Sequence, residues 1–468
     1  MGDCRNMENT LELGSRKEKI SFYKHALKIT APIALQNFMD AAVSSADVIM
    51  LSFVSQAALG ASSLAGQVAF VLNMLLFGIN SGASVLSAQY WGKGDLKAVE
   101  RVLGLAMKLT LVVSALFTLA AAAFPEMIMR IFTDDTGLIE NGIMYLRTVS
   151  ASYLLGGFCT VYLGVMRSVE RVKMSAAVHC SAVLMNVVLN ACFIFGWGPF
   201  PELGIIGVAL ATSITRGIET VICIGDTMLC KTVKLRIKYL VARGGELMRD
   251  FMKFSVPAAA NDVVWGLAFS IYSVILGHLS SDIVAANSVA TVVRNLGTVV
   301  CFGCSSSAAI VLGKTLGDNR LAEAKVYAGR FIKMAVITAL IGGVVILCAR
   351  PLVMLYMEVA VEVTDLVREE LSIMLYINSY YIMGASLNTM IICGIFRSGG
   401  DVKFGLFCDM IAMWIYAVPV GLLSAFVLKL PEMWVYFILC LDEFVKLPAV
   451  FHHYRKGTWL KNITRENV

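Results

Sequence analysis

Apolar runs of about 20 residues recur along nearly the whole chain, and that spacing is the length of a helix crossing a bilayer. Of the 468 residues, 58% are hydrophobic and only 15% are charged, against roughly 25% charged in soluble domains. Backbone groups in lipid must be satisfied within the segment, so the runs are read as helices. Short alternating strands of a membrane barrel are absent from the pattern. Twelve spans are expected, at about 27–51, 57–89, 102–125, 143–166, 174–197, 204–226, 252–277, 283–313, 328–350, 370–396, 404–429 and 431–452.

The connections between these runs alternate in charge. "WGKGDLKAVER", "RSVERVK", "KTLGDNRLAEAK" and "RSGGDVK" are basic, as are the two ends, while "FPEMIMRIFTDDTGLIE", "GWGPFPELG" and "EVAVEVTDLVREE" are neutral or acidic. Basic loops stay inside, so both termini are expected in the cytoplasm. The net charge of +6 is assigned to those loops and not to nucleic-acid binding. The first 25 residues lack the apolar core of a signal peptide. The 12 cysteines are mostly single and within apolar runs, which argues against a disulfide framework. "CFGC" at 301–304 is read as small-residue helix packing. The sequon "NIT" at 462–464 is expected on the cytoplasmic side, unmodified.

The chain is written twice. "AP" at 31–32 answers "VP" at 256–257, and "WGKGDLKA" at 91–98 answers "LGDNRLAE" at 316–323, both at the same offset along the chain. "RSVERVKM" at 167–174 answers "RSGGDVKF" at 397–404 at a slightly longer offset, as a short insertion in between would produce. The resulting domains are a cytoplasmic segment at 1–26, a first six-helix lobe at 27–226, a basic linker at 227–251, a second lobe at 252–452 and a tail at 453–468. The linker reads as a solvated tether with some attraction to anionic lipid. Two halves of even helix number share one topology, and a substrate cavity is expected where they meet.

These duplicated halves, with "GASVLSAQYWGKGD", "LNACFIFGWGPFPELGIIGVALATSITRGIE" and "FRSGGDVKFGLFCDMIAMW" in order, resemble the multidrug and toxin extrusion (MATE) family of bacterial transporters. The resemblance implies an all-α integral membrane protein with twelve transmembrane helices in two pseudo-symmetric six-helix bundles forming a V. It implies a monomeric, multi-pass antiporter of the cytoplasmic membrane. Such an antiporter exports small organic, cationic or amphipathic compounds by alternating access, in exchange for Na⁺ or H⁺ and without another cofactor. No GxxxxGK[ST] loop is present, in keeping with transport driven by an ion gradient. Neither a nucleophile–base pair nor a metal-ligand spacing points to an enzyme. The alternative of the same wider fold is a lipid-linked oligosaccharide flippase, which Arg294 favours and the carboxylates below oppose.

Asn37, Asp40, Ser44 and Asp47 are spaced by three, four and three residues, one helix face about 15 Å long. Carboxylates at such depth are costly unless solvated, protonated or paired. Asp47 matches the family's first-helix aspartate for cation coupling. Asp40 is either a second cation contact or a water-satisfied structural group. Span five adds His179, Asn186 and Asn190 on one face. Many proton-coupled members carry an aspartate where this chain has Asn190, and an amide cannot hold a proton in that role. Asp47 with Asn186 and Asn190 offers oxygens to Na⁺, and the balance tips to Na⁺ over H⁺. In span seven Asp262 falls where relatives carry an acid, followed by Trp265, Phe269 and Tyr272. The rings are either a surface for a lipophilic cation or ordinary packing. Asp409 on span eleven, two turns below Tyr416 and near the cytoplasmic end, is read as lining the inner cavity with Tyr416 or as simply snorkelling. Arg294 in span eight is expected there too, neutralising a carboxylate the sequence does not identify. Span ten has Ser386 and Asn388 but no acid at its centre. Arg216 with Glu219, and Glu443 with Lys446, read as structural i,i+3 pairs near cytoplasmic helix ends.

Overall fold

The computed structural model describes residues 15–54, 56–197, 200–230, 232–242, 244–359 and 364–466, without the side chains of 44–45, 47–49, 51–57 and 359. Among these residues the secondary structure is helical. The first half comprises α1 (Arg16–Val54), α2 (Gln56–Lys93), α3 (Leu96–Ala123), a short α4 (Pro125–Phe132), α5 (Thr136–Ser168), α6 (Val172–Phe195) and α7 (Gly204–Leu229). A short α8 (Ile237–Val241) lies in the linker. The second half comprises α9 (Gly245–Gly277), α10 (Ser281–Gly317), α11 (Leu321–Val359), α12 (Asp365–Asn388), α13 (Val402–Met410), α14 (Val418–Leu422), α15 (Glu432–Leu439) and α16 (Asp442–Lys456). Ten described segments are long and apolar enough to cross a membrane by length and composition.

The repeat is visible in the turns. The helix before the "GD" turn ends with Gly94 at φ 79°, and its counterpart in the second half, Asn319, sits at φ 59°. In each turn the following N–H returns five residues, Asp95 to Tyr90 and Arg320 to Thr315, while the left-handed residue's own N–H returns three, to Trp91 and to Leu316. This is the Schellman ending, which suits glycine or asparagine. Glu170 (φ 63°) and Gly400 (φ 75°) repeat the arrangement in the second matched pair of turns, with N–H bonds from Arg171 to Met166 and from Asp401 to Phe396. Asp95 then caps α3 by accepting from Ala98 N at 3.0 Å, satisfying a free donor of its first turn.

The chain divides into two compact units: residues 38–259 with the end of the chain from Arg465, and residues up to Asn37 with 260–464. They are called the N-unit and the C-unit below. The boundaries fall within α1 and α9, so the first stretch of each of these helices packs in the unit of the other half. In the C-unit, Glu18 of α1 forms an ion pair with Arg330 at 2.6 Å, and Ala34 lies against Gly303, where an added Cβ would come within 3.1 Å. Helix α1 thus begins well before the apolar run. In the N-unit, Gly78 of α2 faces Ala259 of α9 with no room for a Cβ.

The linker is largely exposed, as the sequence suggested, but it is anchored on α3. Glu100 of α3 accepts from Lys234 N at 3.2 Å and from Arg236 Nε at 2.5 Å, and Val233 is fully buried. The carboxylate holds the exposed Arg236 guanidinium in its charged form more firmly. Likewise the tail is docked. In the C-unit Trp459 is buried, and Asn462 donates to Gly317 O at 3.2 Å. In the N-unit Arg465 pairs with Asp250 at 2.5 Å and with Glu246.

Helix regularity differs between the halves. Three π-helical stretches lie at Thr389–Phe396, Ile411–Ala417 and Leu423–Val427. Each wider turn shifts the face that later residues present. The last span is broken between α15 and α16, at Cys440 and Leu441. The described cysteines are free, with Cys301 and Cys304 buried in α10.

Candidate functional site

The N-unit places Asp40, His179, Glu219 and Arg216 in one line. Asp40 Oδ1 is 2.8 Å from His179 Nε2, and His179 Nδ1 is 3.1 Å from Glu219 Oε1. Arg216 donates to Glu219 Oε2 at 2.7 Å. The spacing within α7 makes the Arg216–Glu219 pair, while packing of α6 on α7 adds the histidine. Glu219 is wholly buried, whereas Asp40 at the other end keeps 49% of its side chain exposed. Ionised carboxylates only accept hydrogen bonds. An imidazole between two of them completes both bonds when each ring nitrogen carries a hydrogen, which is its cationic form. The line is a continuous row of polar contacts whose outer end, Asp40, is half-exposed.

Asn186 and Asn190 are buried on the same helix as His179. Asn190 Nδ2 donates to Asn186 Oδ1 at 3.3 Å, and Asn186 Nδ2 to Thr212 Oγ1 at 3.4 Å. The predicted partners Ser44 and Asp47 have side chains outside the described residues. Asn37 is half-buried and belongs to the C-unit.

The C-unit gathers its charges differently. Lys446 of α16 reaches Asp409 at 2.7 Å and Glu443 at 2.9 Å, with all three side chains no more than 6% exposed. Asn388 Nδ2 donates to Glu443 Oε2 at 2.7 Å. Asp442 accepts from the N–H of Glu443 at 2.8 Å and from the Tyr272 hydroxyl at 3.4 Å. Asn388 and Asp409 lie at or beside the start of a π-helical stretch. Asp409 and Glu443 pair with the one ammonium, and Asp442 lies next to Glu443 in the same interior. The sequence placed Asp409 on an open cavity and read Glu443 with Lys446 as a helix-end pair. The structure joins them in the interior, because Lys446 turns inward and takes Asp409 as a second partner.

Asp262 on α9 accepts from Arg397 at 3.4 Å, while its other oxygen is buried without a hydrogen bond. Trp265, Phe269 and Tyr272 follow as an edge-to-face row, with centroids 4.8 and 5.6 Å apart. Tyr416 is half-buried against the same core, and Trp414 donates to Val264 O at 3.2 Å. Arg294 lies over the Phe269 ring at 5.7 Å and the Tyr381 ring at 5.4 Å.

Glu219, Lys446, Asp442, Arg397 and Tyr381 were missed as parts of these clusters. Two adjacent acids in the last apolar run, Asp442 and Glu443, were a signal available in the sequence, since buried acids require partners.

Known proteins agree with this architecture. The MatE family model matches residues 32–192 and 257–423, two segments that begin at the matched prolines Pro32 and Pro257. The uncharacterized transporter YisQ of Bacillus subtilis (strain 168) is 23% identical over 444 residues, covering 92% of this chain and 94% of that protein. The probable multidrug resistance protein NorM of Thermotoga maritima is 22% identical over 459 residues, covering 97% of each. The outward-facing structure of a multidrug resistance MATE family transporter of the MOP superfamily superimposes with a TM-score of 0.85 at 18% identity, covering 93% of this chain and 96% of that one. The match extends through both repeated halves, and the chain belongs to the MATE family of membrane transporters.

Proposed function

We propose that this protein is a cation-coupled antiporter that exports small amphipathic organic compounds across the cytoplasmic membrane by alternating access. The coupling ion is H⁺, carried on the relay Asp40–His179–Glu219. The observation that supports this reading most is His179 itself. It sits on an apolar helix between two carboxylates, and Arg216 holds the inner one in place. A histidine in such a bridge can hold one proton and release it as a neutral ring, giving up one of its two bonds. The half-exposed Asp40 gives that proton a way out.

Na⁺ coupling is the second reading. Asn186, Asn190 and Thr212 form a ladder of neutral oxygens and amides along one face of the N-unit. With Asp47 they would make an oxygen site of the kind a hard cation takes.

The test is efflux from reconstituted vesicles, with ethidium and 2-naphthoate each supplied as cargo, under a pH gradient alone or a Na⁺ gradient alone. Proton coupling predicts movement driven by the pH gradient and lost in His179→Gln. Movement that follows Na⁺ and ignores pH would transfer the coupling to Asp47, Asn186 and Asn190. Absence of gradient-driven movement of either cargo would remove the antiporter reading.

A further inference from the structure

The C-unit carries a partly open cavity of about 220 Å³ that the coupling relay does not use. Its walls are the rings of Phe269, Tyr272, Tyr381 and Tyr436, with Arg294 and Asn287 contributed by α10. The volume corresponds to about seven liquid waters. It is small for a complete drug-sized site and suits one flat ring system with its polar group.

Arg294 is the unusual group in this cavity. Among the described residues no carboxylate lies within ion-pairing distance of it. Two aromatic rings hold its guanidinium instead. A ring face attracts the cation but satisfies none of its N–H donors. A guanidinium inside a membrane protein with its donors unclaimed is expensive, and its planar fork matches a carboxylate in two parallel bonds. Asp442 also borders the cavity, but its oxygens already accept from Glu443 N and Tyr272. At the entrance to the aromatic row, Asp262 is engaged by Arg397. Arg294 is thus the charged group of this cavity with no hydrogen bond or ion pair among the described residues, while Asp442 on the same wall is already bonded. The sequence, where Asp262 preceded the aromatics without a visible partner, suggested a cationic cargo instead.

We infer that this cavity is a binding subsite for an aromatic carboxylate, with the carboxylate on Arg294 and the ring against Phe269, Tyr381 and Tyr436. The inference rests on the exporter reading only for its transport role; binding itself is independent of any gradient.

The experiment is equilibrium binding of 2-naphthoate and of 2-naphthylmethylamine to the purified full-length protein in nanodiscs, with no ion gradient. The two probes share the ring and differ in charge. The wild type is expected to bind the carboxylate about tenfold or more tightly than the amine, the scale of a hydrogen bond to a charged group. Arg294→Met should remove that preference and Arg294→Lys should keep part of it, at unchanged thermal unfolding temperature. Tighter binding of the amine by the wild type would overturn the assignment, as would undiminished carboxylate binding by folded Arg294→Met. If Arg294→Met does not fold, the wild-type preference and Arg294→Lys decide the matter. A failure here leaves gradient-driven efflux of other cargo standing. A failure of ion coupling leaves the binding preference standing.

Discussion

The two units share helix order and turn geometry but handle buried charge in opposite ways. The N-unit strings Asp40, His179, Glu219 and Arg216 into a line with one open end. The C-unit closes Asp409, Glu443 and Asn388 around Lys446, out of reach of solvent. An imidazole has a stable neutral form, whereas a lysine ammonium fixed by two carboxylates stays charged. Duplication thus preserved the turns, where backbone conformation restricts the residue, and freed the interior. In the proposed reading one interior carries a proton and the other is a fixed anchor beside a binding cavity.

The largest expected effect separates anchor from relay by stability. Lys446→Met leaves buried carboxyls without their cation and should cost about 3–5 kcal/mol. Arg216→Met leaves Glu219 still bonded to His179 and should cost about 1–3 kcal/mol. Denaturant unfolding of both purified variants measures this, and equal losses would erase the distinction.

Transport should show the reverse order. His179→Gln is expected to abolish efflux driven by a pH gradient while its unfolding temperature changes little. Glu443→Gln removes one of the two acids paired with Lys446 and should retain that efflux. If Glu443→Gln is the inactive variant, the carrier lies in the C-unit.

Two glycines test how closely each cluster is packed. A Cβ on Gly384 would lie 3.0 Å from Glu443 Cβ and 3.1 Å from the Phe444 ring, whereas one on Gly217 meets nothing within 4 Å. Gly384→Ala should destabilise by about 1–2 kcal/mol through overpacking. Gly217→Ala, beside the relay, should be neutral or gain up to about 1 kcal/mol of helix propensity. Thermal unfolding distinguishes these signs.

The smallest effect concerns the matched turns. Gly400→Ala puts a side chain at φ 75° and should cost about 1 kcal/mol. Glu170→Gly at the equivalent position relieves that strain but forfeits the 3.4 Å bond from Trp91 Nε1, so its stability should stay within about 0.5 kcal/mol of the wild type. A large loss from Glu170→Gly would mean that its carboxylate, not the backbone, holds this turn.

The contrast also shows what could be read in the sequence. The repeat, the all-helical fold and the family were legible, because apolar length and left-handed turn residues act locally. Asp40 and His179 were each singled out on their own helix, but their meeting depends on the packing of α1 on α6. Arg216 with Glu219 was read correctly as a pair and incompletely as a structure, since a three-residue spacing says nothing of a third partner on another helix. Lys446 was hidden in the same way: its second partner, Asp409, is 37 residues away. The break at Cys440 and the π-helical stretches have no signal in hydrophobic periodicity.

The central claim is that the N-unit relay carries a proton in exchange for cargo. Its most direct measurement is the internal pH of Na⁺-free vesicles when cargo is added outside, using 2-naphthoate and ethidium in parallel. Wild-type protein should move protons in proportion to cargo, and His179→Gln should move none. Cargo movement by the wild type without any proton movement, or proton exchange undiminished in His179→Gln, would contradict it.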